Sequence, residues 1–333
     1  MRIVMQDTDI DTLASVASFD LALDTGDTNT ASIFSVLAIK SFLPHTKSQT
    51  VLVRLPPHLV TALHLSDSYC DHLAVFKIYD PCHLNNRQGK GPLIRSPHPW
   101  RLEAEALALK NRQLGRYANN KRLNRNFVTD IDFKKTGVTG EAIWEEHFYR
   151  LSQKCYTKER KAFECLKELQ GISVPRMYAT GCVSLDNRAI SPPFILMEYI
   201  DGISLAQLDS LQIHNIPSHL FERLYFACHR FPELGVAHND ISNTTNILFS
   251  PAQAPVRAIV IDFGHATLES EIPADAEVGW QLELIRRHDA SIFFRKMERL
   301  SVVIPNSIVE SQEQVLSNPS YCSLSPFRQR AAD

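Results

Sequence analysis

Polar residues that follow apolar runs are the part of the sequence best suited to chemistry. A lysine at the end of an apolar strand keeps its stem packed and presents its ammonium to phosphate oxygens. Carboxylates on turns can accept the proton of an attacking hydroxyl, or bind magnesium together with an amide oxygen. Residues of these types occur in the order Lys77, Glu159, Asp240 and Asp262. The set predicts transfer of a phosphoryl group to a hydroxyl.

The helical position of Glu159 indicates its partner. At about 100° per residue, Glu159 shares an inward face with Phe163, whereas Glu164 lies roughly 140° away and faces solvent. A buried carboxylate needs a partner, and Lys77 is the natural one. The alternative is a partly exposed Glu159 that pairs along its own helix with the two basic residues that follow it.

The composition excludes several classes of protein. Lys and Arg number 35 against 37 Asp and Glu, a formal charge of −2, which argues against coating nucleic acid or an anionic membrane through bulk charge. The hydrophobic fraction of 44% and charged fraction of 22% are typical of a globular chain. Seven cysteines without a CxxC pair argue against a disulfide framework or a zinc ribbon. No apolar run approaches the ~18 residues that span a bilayer, so we expect a cytoplasmic protein without a membrane partner, with a nuclear location left open.

The pattern of apolar residues predicts an α+β chain. Three strand-like runs are followed by a long helix and two more strands, and the second part of the chain is mainly helical. The predicted strands cover residues 33–39, 50–55, 73–79, 176–185 and 194–200, with short runs at 247–249 and 258–261. The predicted helices cover residues 99–117, 141–169, 218–231 and 274–300. In the first of these helices, Leu102, Leu109 and Leu114 are the candidate buried positions.

Two segments carry a family resemblance. Phe76-Lys77-Ile78-Tyr79-Asp80 forms a lysine-bearing strand, and residues 159–175 fit the pattern E..AY..L..LQG..VP. With a long insertion between them, they resemble the protein-kinase-like superfamily, in particular divergent kinase-like proteins of filamentous fungi. The chain is more distantly similar to choline kinase and aminoglycoside phosphotransferase-like kinases. The likeness covers residues 33–300 apart from the insertion.

The resemblance implies a bilobal protein-kinase-like fold that binds ATP and Mg²⁺. The N-lobe, residues 33–200, would hold a five-stranded antiparallel sheet and a long helix, with an insertion at 81–139. The short, mainly helical C-lobe would cover 201–300. A flexible segment, 1–32, and a tail, 301–333, would flank the two lobes.

The resemblance also implies roles for single residues. Lys77 would contact the α/β-phosphates and pair with Glu159, and Asp240 would be the catalytic base. The magnesium ligands would be Asp262 and Asn246. Backbone groups of the hinge would bind adenine, and these belong to Glu198, Tyr199 and Ile200.

Three departures from the family pattern leave two functions open. There is no glycine between Gly26 and Gly89 to form a phosphate-binding loop, and the expected turn falls at residues 44–49. The family places its metal-binding Asn five residues after the catalytic Asp, but here the asparagines are Asn243 and Asn246; anchoring on the following strand favours Asn246. No Ala-Pro-Glu follows Asp262. The chain is therefore either a phosphotransferase, acting on a protein Ser/Thr or a small-molecule hydroxyl, or a pseudokinase that binds or scaffolds.

Basic residues are concentrated in the insertion. Residues 94–125 hold eight Lys or Arg against two acids. A solvated helix face and a patch for a partner or nucleic acid both fit this composition, and the overall charge argues against nucleic acid.

Overall fold

The computed structural model describes residues 2–5, 18–23, 32–43, 47–65, 72–89, 94–125, 128–129, 137–185, 187–273, 279–280, 284, 289–300 and 302. The chain divides into two compact units. The N-terminal unit comprises Met1–Arg160 and Arg176–Tyr199, and the C-terminal unit comprises Lys161–Pro175 and Ile200–Asp333.

A seven-stranded sheet forms the centre of the N-terminal unit. Strands β1 to β7 are Arg2–Met5, Ser18–Leu23, Ser32–Phe42, Gln49–Arg54, Leu73–Ile78, Met177–Leu185 and Pro193–Glu198. They pair in the order β1-β2-β3-β4-β5-β7-β6, and β6 also pairs in parallel with β1, which closes the sheet. Strands β3 to β7 are antiparallel neighbours, so the predicted α+β class with a five-stranded antiparallel sheet is confirmed. Strands β1 and β2 lie inside the segment for which the sequence predicted flexibility.

The alternation of β5 separates its core residues from its polar ones. Phe76 and Ile78 are buried in the apolar cluster enclosed by the sheet, together with Val51 of β4 and Phe194 of β7. Because successive strand residues point to opposite faces, Lys77 points away from that cluster.

Where the structure describes the N-terminal unit, three helices accompany the sheet: α1, Pro57–Ala62; α2, Leu102–Gln113; and α3, Gly137–Cys165. The prediction that leucines bury α2 is wrong for Leu102 and Leu114, which are 40% and 57% exposed. The buried residues of α2 are instead Ala104, Glu105, Ala108 and Asn111. Buried polar contacts, rather than leucine packing, therefore fix this helix.

Arginine–glutamate pairs connect the insertion to α3. Arg87 donates to both oxygens of Glu145, at 2.8 and 2.5 Å, and both side chains are buried. Glu146, which is fully buried, accepts hydrogen bonds from Arg112 at 2.9 Å and Arg150 at 2.7 Å. The insertion thus packs as part of the N-terminal unit.

Several of the basic residues at 94–125 have hydrogen-bond or ion-pair partners within the N-terminal unit. Arg112 is bound to Glu146, Arg116 donates to Asn111 at 2.9 Å, and Arg101 lies 3.3 Å from Glu141. At least these three of the eight cations have intramolecular acceptors, which favours the structural reading of the cluster.

The C-terminal unit is mainly helical. The helices given by the described residues are α4, Ser210–His214; α5, Ser218–Glu233; and α6, Asp289–Arg299. Its strands are short: β8, Ile203–Ser204; β9, Val236–Ala237; β10, Ile247–Ser250; β11, Arg257–Val260; and β12, Thr267–Leu268. Strand β10 pairs with β11 and β8, and β12 pairs with β9. Helix α6 lies in the predicted helix 274–300, part of which is outside the described residues.

The core of the C-terminal unit is formed by α5 and the short strands. Leu220, Leu224 and Phe231 of α5 are fully or nearly fully buried against Phe249 and Phe263. The spacing of these α5 residues is the helical stripe seen in the sequence. No helix among the described residues is long and apolar enough to cross a membrane.

Candidate functional site

Lys77 and Glu159 form an ion pair in the N-terminal unit. The Nζ of Lys77 lies 2.9 Å from Oε1 and 2.7 Å from Oε2 of Glu159. Glu159 and Phe163 are buried and Glu164 is exposed, as the helix-face argument predicts. The alternative pairing of Glu159 with the basic residues of its own helix is wrong, since its carboxylate is bound to Lys77.

Tyr79 contacts both members of this pair. Its hydroxyl donates a hydrogen bond to Oε2 of Glu159, and the ammonium of Lys77 lies 5.7 Å from the centre of its ring. Tyr79 is two residues after Lys77, so both side chains leave the same side of the strand. Tyr79 had no predicted role beyond its place in the lysine-bearing strand.

Asp80, the residue after Tyr79, forms a separate ion pair with Arg188. Its Oδ2 accepts a hydrogen bond from Arg188 at 2.5 Å, and Arg188 also donates to Glu105 of α2 at 2.6 Å. Burial alone would raise the pKa of Asp80, but the Arg188 guanidinium holds that pKa below its ordinary value of 3.8. Asp80 is therefore a charged, fully buried anchor.

The predicted hinge residues lie at the end of β7. The carboxylate of Glu198 accepts the backbone N–H of Arg176 at 3.0 Å, and the Glu198 N–H donates to the Arg176 carbonyl at 2.8 Å. Glu198 is buried, and these two hydrogen bonds to the Arg176 backbone satisfy its carboxylate and its N–H. The boundary between the two units falls between Tyr199 and Ile200.

The turn predicted to replace the glycine loop is only partly described. Residues 44–46 lie outside the described residues, while Lys47 is half-buried just before β4.

In the C-terminal unit, Asp240 and Asn246 lie together. The amide nitrogen of Asn246 donates to the Asp240 carboxylate at 2.9 Å and to the Asp240 carbonyl at 3.1 Å, and Asn246 is buried. Asn243 is exposed. Its side-chain oxygen accepts hydrogen bonds from the N–H and hydroxyl of Thr245, and so caps the turn at Thr244–Asn246. Asn246 therefore lies against the Asp240 carboxylate, whereas Asn243 caps a turn.

His238 connects this loop to the Asp262 turn. Its Nδ1 accepts the backbone N–H of Asp240 at 3.2 Å, so its Nε2 carries the proton and donates to the Ile261 carbonyl at 3.0 Å. The Ile261 N–H in turn donates to the carbonyl of Asn246 at 2.9 Å. Two loops far apart in the sequence are thereby held together.

Asp262 has a left-handed backbone conformation, with φ 67° and ψ 72°. A non-glycine residue in this region is strained by about 1–3 kcal/mol, and such strain is concentrated at functional positions. Phe263 offsets the strain by packing between Phe163, Phe231 and the ring of His238, at centroid distances of 5.8, 5.6 and 4.7 Å. The turn is therefore anchored by Phe263 and presents the half-exposed Asp262 carboxylate.

Asp289 is a site residue that sequence reasoning missed. Its carboxylate accepts the backbone N–H of His238 and, at 3.0 Å, that of Asn239. It is buried at the start of α6. No motif surrounds it in the sequence, and the only available signal was an acidic residue in the first turn of a helix.

Asn239 holds the segment that follows the Asp262 turn. With a φ of 66°, it directs its amide nitrogen to the His265 carbonyl at 2.9 Å and to the Thr267 hydroxyl at 3.0 Å. The loop of Asp240 thus fixes the residues on both sides of Phe263.

The donor atoms in this loop pair suit magnesium. Both hydrogen bonds of the Asn246 side chain use its nitrogen, so its oxygen is the atom that could bind a metal. The other predicted ligand is the carboxylate of Asp262. Hard oxygen donors of this kind, completed by substrate phosphates, are what Mg²⁺ prefers.

Comparison with known proteins gives one family. The family model described as the lipopolysaccharide kinase (Kdo/WaaP) family matches residues 98–287, more than half of the chain. The matched range includes Glu159, Asp240, Asn246 and Asp262 but not Lys77. No curated protein matches the chain. The chain therefore belongs to the lipopolysaccharide kinase (Kdo/WaaP) family, within the protein-kinase-like superfamily.

Proposed function

We propose that the protein is an ATP- and Mg²⁺-dependent phosphotransferase that acts on a hydroxyl group. The observation that carries the proposal is the Lys77–Glu159 ion pair, because it joins Lys77, outside the range that matches the family, to Glu159 inside that range. The coarser conclusion, a kinase-like phosphotransferase, follows from the family itself.

In this proposal Lys77 binds the α/β-phosphates as a point charge held in place by Glu159. Backbone groups of Glu198, Tyr199 and Ile200 bind adenine. Both sets of contacts orient the nucleotide before any bond changes, and such orientation supplies a large part of the rate enhancement in phosphoryl transfer.

Asp240 is the base. Its carboxylate takes the proton of the acceptor hydroxyl as the acceptor oxygen forms a bond to the γ-phosphorus; the bond from that phosphorus to the β–γ bridging oxygen breaks, and ADP leaves. The hydrogen bond from Asn246 orients the Asp240 carboxylate. Asp262 and Asn246 would hold Mg²⁺, which neutralises charge on the phosphate oxygens.

The family description indicates where to look for the acceptor. It names lipopolysaccharide, a molecule rich in sugar hydroxyls, so a saccharide hydroxyl is the first acceptor to test. Protein Ser/Thr hydroxyls are the second.

Thermal melting with and without Mg·ATP tests the first requirement. At a hundred times its dissociation constant, a ligand stabilises the fold by ~2.7 kcal/mol. We expect melting to shift upward by several degrees in the wild type and in Glu298→Gln, an exposed carboxylate on α6, but not in Asp262→Asn. The absence of a shift in the wild type would contradict the proposal.

The rival function is a pseudokinase, which the lack of glycine between Gly26 and Gly89 favours. Release of γ-phosphate from ATP, compared between the wild type and Asp240→Asn, distinguishes the two. A rate at least a hundredfold lower in Asp240→Asn identifies an enzyme. Equal rates in the two proteins, together with a Mg·ATP melting shift, identify a nucleotide-binding scaffold.

A further inference from the structure

We propose that Tyr79 is a positioning residue for the Lys77–Glu159 pair. The inference rests on the proposed function, in which Lys77 binds the phosphates. Tyr79 touches neither nucleotide nor acceptor in this proposal; it acts through the orientation of Glu159.

The carboxylate of Glu159 is fully buried, and an ionised group in that environment needs more than one polar partner to offset its lost hydration. Lys77 supplies one partner and the hydroxyl of Tyr79 the second, both at Oε2. With two donors on one oxygen, rotation of the carboxylate breaks two hydrogen bonds at once.

The position of Tyr79 is itself fixed by the helix that carries Glu159. The hydroxyl of Ser152 on α3 donates to the backbone carbonyl of Tyr79 at 2.6 Å, and Ser152 is fully buried. The ring of Tyr79 also packs edge-on against Tyr156, at a centroid distance of 5.5 Å. Strand and helix are thus joined at three points within two helical turns: Ser152, Tyr156 and Glu159.

Asp80, the residue after Tyr79, holds the end of the strand through contacts that do not involve α3. Asp80 is bound by Arg188, and its backbone N–H donates to the Gln49 side chain at 3.1 Å. Tyr79 therefore has little freedom, and its hydroxyl is a rigid donor. A rigid donor on Glu159 fixes its carboxylate and, through it, the Lys77 ammonium, and a displacement of about 1 Å at such a site costs roughly a hundredfold in rate.

Tyr79→Phe removes the hydroxyl and keeps the ring, so it tests the hydrogen bond with little change in packing. The matched control is Tyr156→Phe, which removes a hydroxyl from the neighbouring ring and leaves the Tyr79–Glu159 hydrogen bond in place. The first measurement uses protein without nucleotide: the rate at which Lys77 is acetylated by a small N-hydroxysuccinimide ester, read by mass spectrometry of the peptide.

We expect Lys77 to react at least threefold faster in Tyr79→Phe than in the wild type or Tyr156→Phe, with the other lysines unchanged. Equal rates at Lys77 in all three proteins overturn the inference. So does faster reaction of every lysine in Tyr79→Phe, because that result shows general loosening of the fold.

The second measurement separates turnover from binding. In Tyr79→Phe we expect kcat to fall roughly tenfold while KM for ATP stays within about twofold, and Tyr156→Phe to change neither. A change in KM alone overturns the inference. If the wild type fails to bind Mg·ATP, the proposed function falls, whereas the acetylation result still decides whether Tyr79 positions Lys77.

Discussion

The carboxylate of Asp289 accepts the backbone N–H of His238, although 51 positions separate the two residues. A second N–H, from Asn239, donates to the other carboxylate oxygen. The loop that presents Asp240 is thus held by a buried charge at the start of α6.

Asp289→Asn replaces this charge by an amide that accepts at only one oxygen. Because hydrogen bonds to a charged group contribute about 1.5–3 kcal/mol each, we expect the free energy of unfolding to fall by roughly 2 kcal/mol, and kcat to fall with it. Urea unfolding and an ATP turnover assay measure the two effects. Glu298→Gln, on the exposed face of the same helix, should change neither; equal values for both variants would contradict the assigned role of Asp289.

Asn246 and Asn243 differ in their expected effect on magnesium dependence. Asn246→Ala removes the proposed oxygen ligand and the hydrogen bond to Asp240, so we expect at least a tenfold loss of activity and a higher Mg²⁺ requirement. Asn243→Ala removes a turn cap and a long hydrogen bond of 3.5 Å to the Asp240 carboxylate but no predicted ligand, so its Mg²⁺ titration should follow that of the wild type. Titration of ATP turnover with MgCl₂ is the measurement, and a reversed order of the two variants would assign the ligand to Asn243.

The Arg87–Glu145 pair should be sensitive to loss of one partner. Burial raises the pKa of Glu145 despite the hydrogen bonds from Arg87, so the carboxylate depends on that cation to remain charged. We expect Arg87→Ala to lower the free energy of unfolding by about 3 kcal/mol. Arg101→Ala breaks an exposed pair with Glu141 and should cost less than about 1 kcal/mol. Denaturant unfolding of the two variants checks the contrast.

The stability that Asp80 contributes should depend on pH. Since its pKa in the folded protein lies below the ordinary value of 3.8, the contribution is fully present above that value and is lost as the pH falls through the folded pKa. We expect Asp80→Asn to be destabilised by roughly 3 kcal/mol at pH 7. The difference from the wild type should shrink below about pH 4. Urea unfolding at pH 7, 5, 4 and 3 gives the comparison, and a constant difference across that range would falsify the assignment of a charged Asp80.

Gly202 should tolerate no side chain. A Cβ at this position would lie 2.4 Å from the Phe249 carbonyl oxygen, which is backbone and cannot move without disturbing β10. We expect Gly202→Ala to cost about 1–3 kcal/mol, a typical penalty for overpacking. Gly279, where nothing lies within 4 Å of an added Cβ, is the matched control. Thermal melting of the two alanine variants decides; equal melting temperatures would show that β10 adjusts.

Much of the fold was predictable because its elements have strong local patterns. Strands β4 and β5 and helix α5 begin and end within about two residues of their predicted bounds, since apolar alternation and helical stripes mark them clearly. The same reasoning identified the buried face of Glu159. The resemblance to the protein-kinase-like superfamily rested on the lysine-bearing strand at 76–80 and on residues 159–175. It is confirmed by the family match.

The remainder depends on contacts between distant residues. The face of α2 is set by Glu105 and its partner Arg188, which no periodicity reveals. The role of Asp289 depends on a loop 51 residues away. The sequence places Tyr79 in a strand pattern. That its hydroxyl donates a hydrogen bond to Glu159 follows only from the position of α3.

The arginine–glutamate pairs between the insertion and α3 constrain how the sequence can change. Neither Arg87 nor Glu145 can be replaced alone without leaving an uncompensated buried charge, and the same holds for Glu146 and its two arginines. We therefore expect related chains to conserve or lose these residues jointly. A shortened version of the protein that omits the insertion would expose Trp144 and Phe148 of α3, which pack against apolar residues of the insertion, and would need polar residues at these two positions.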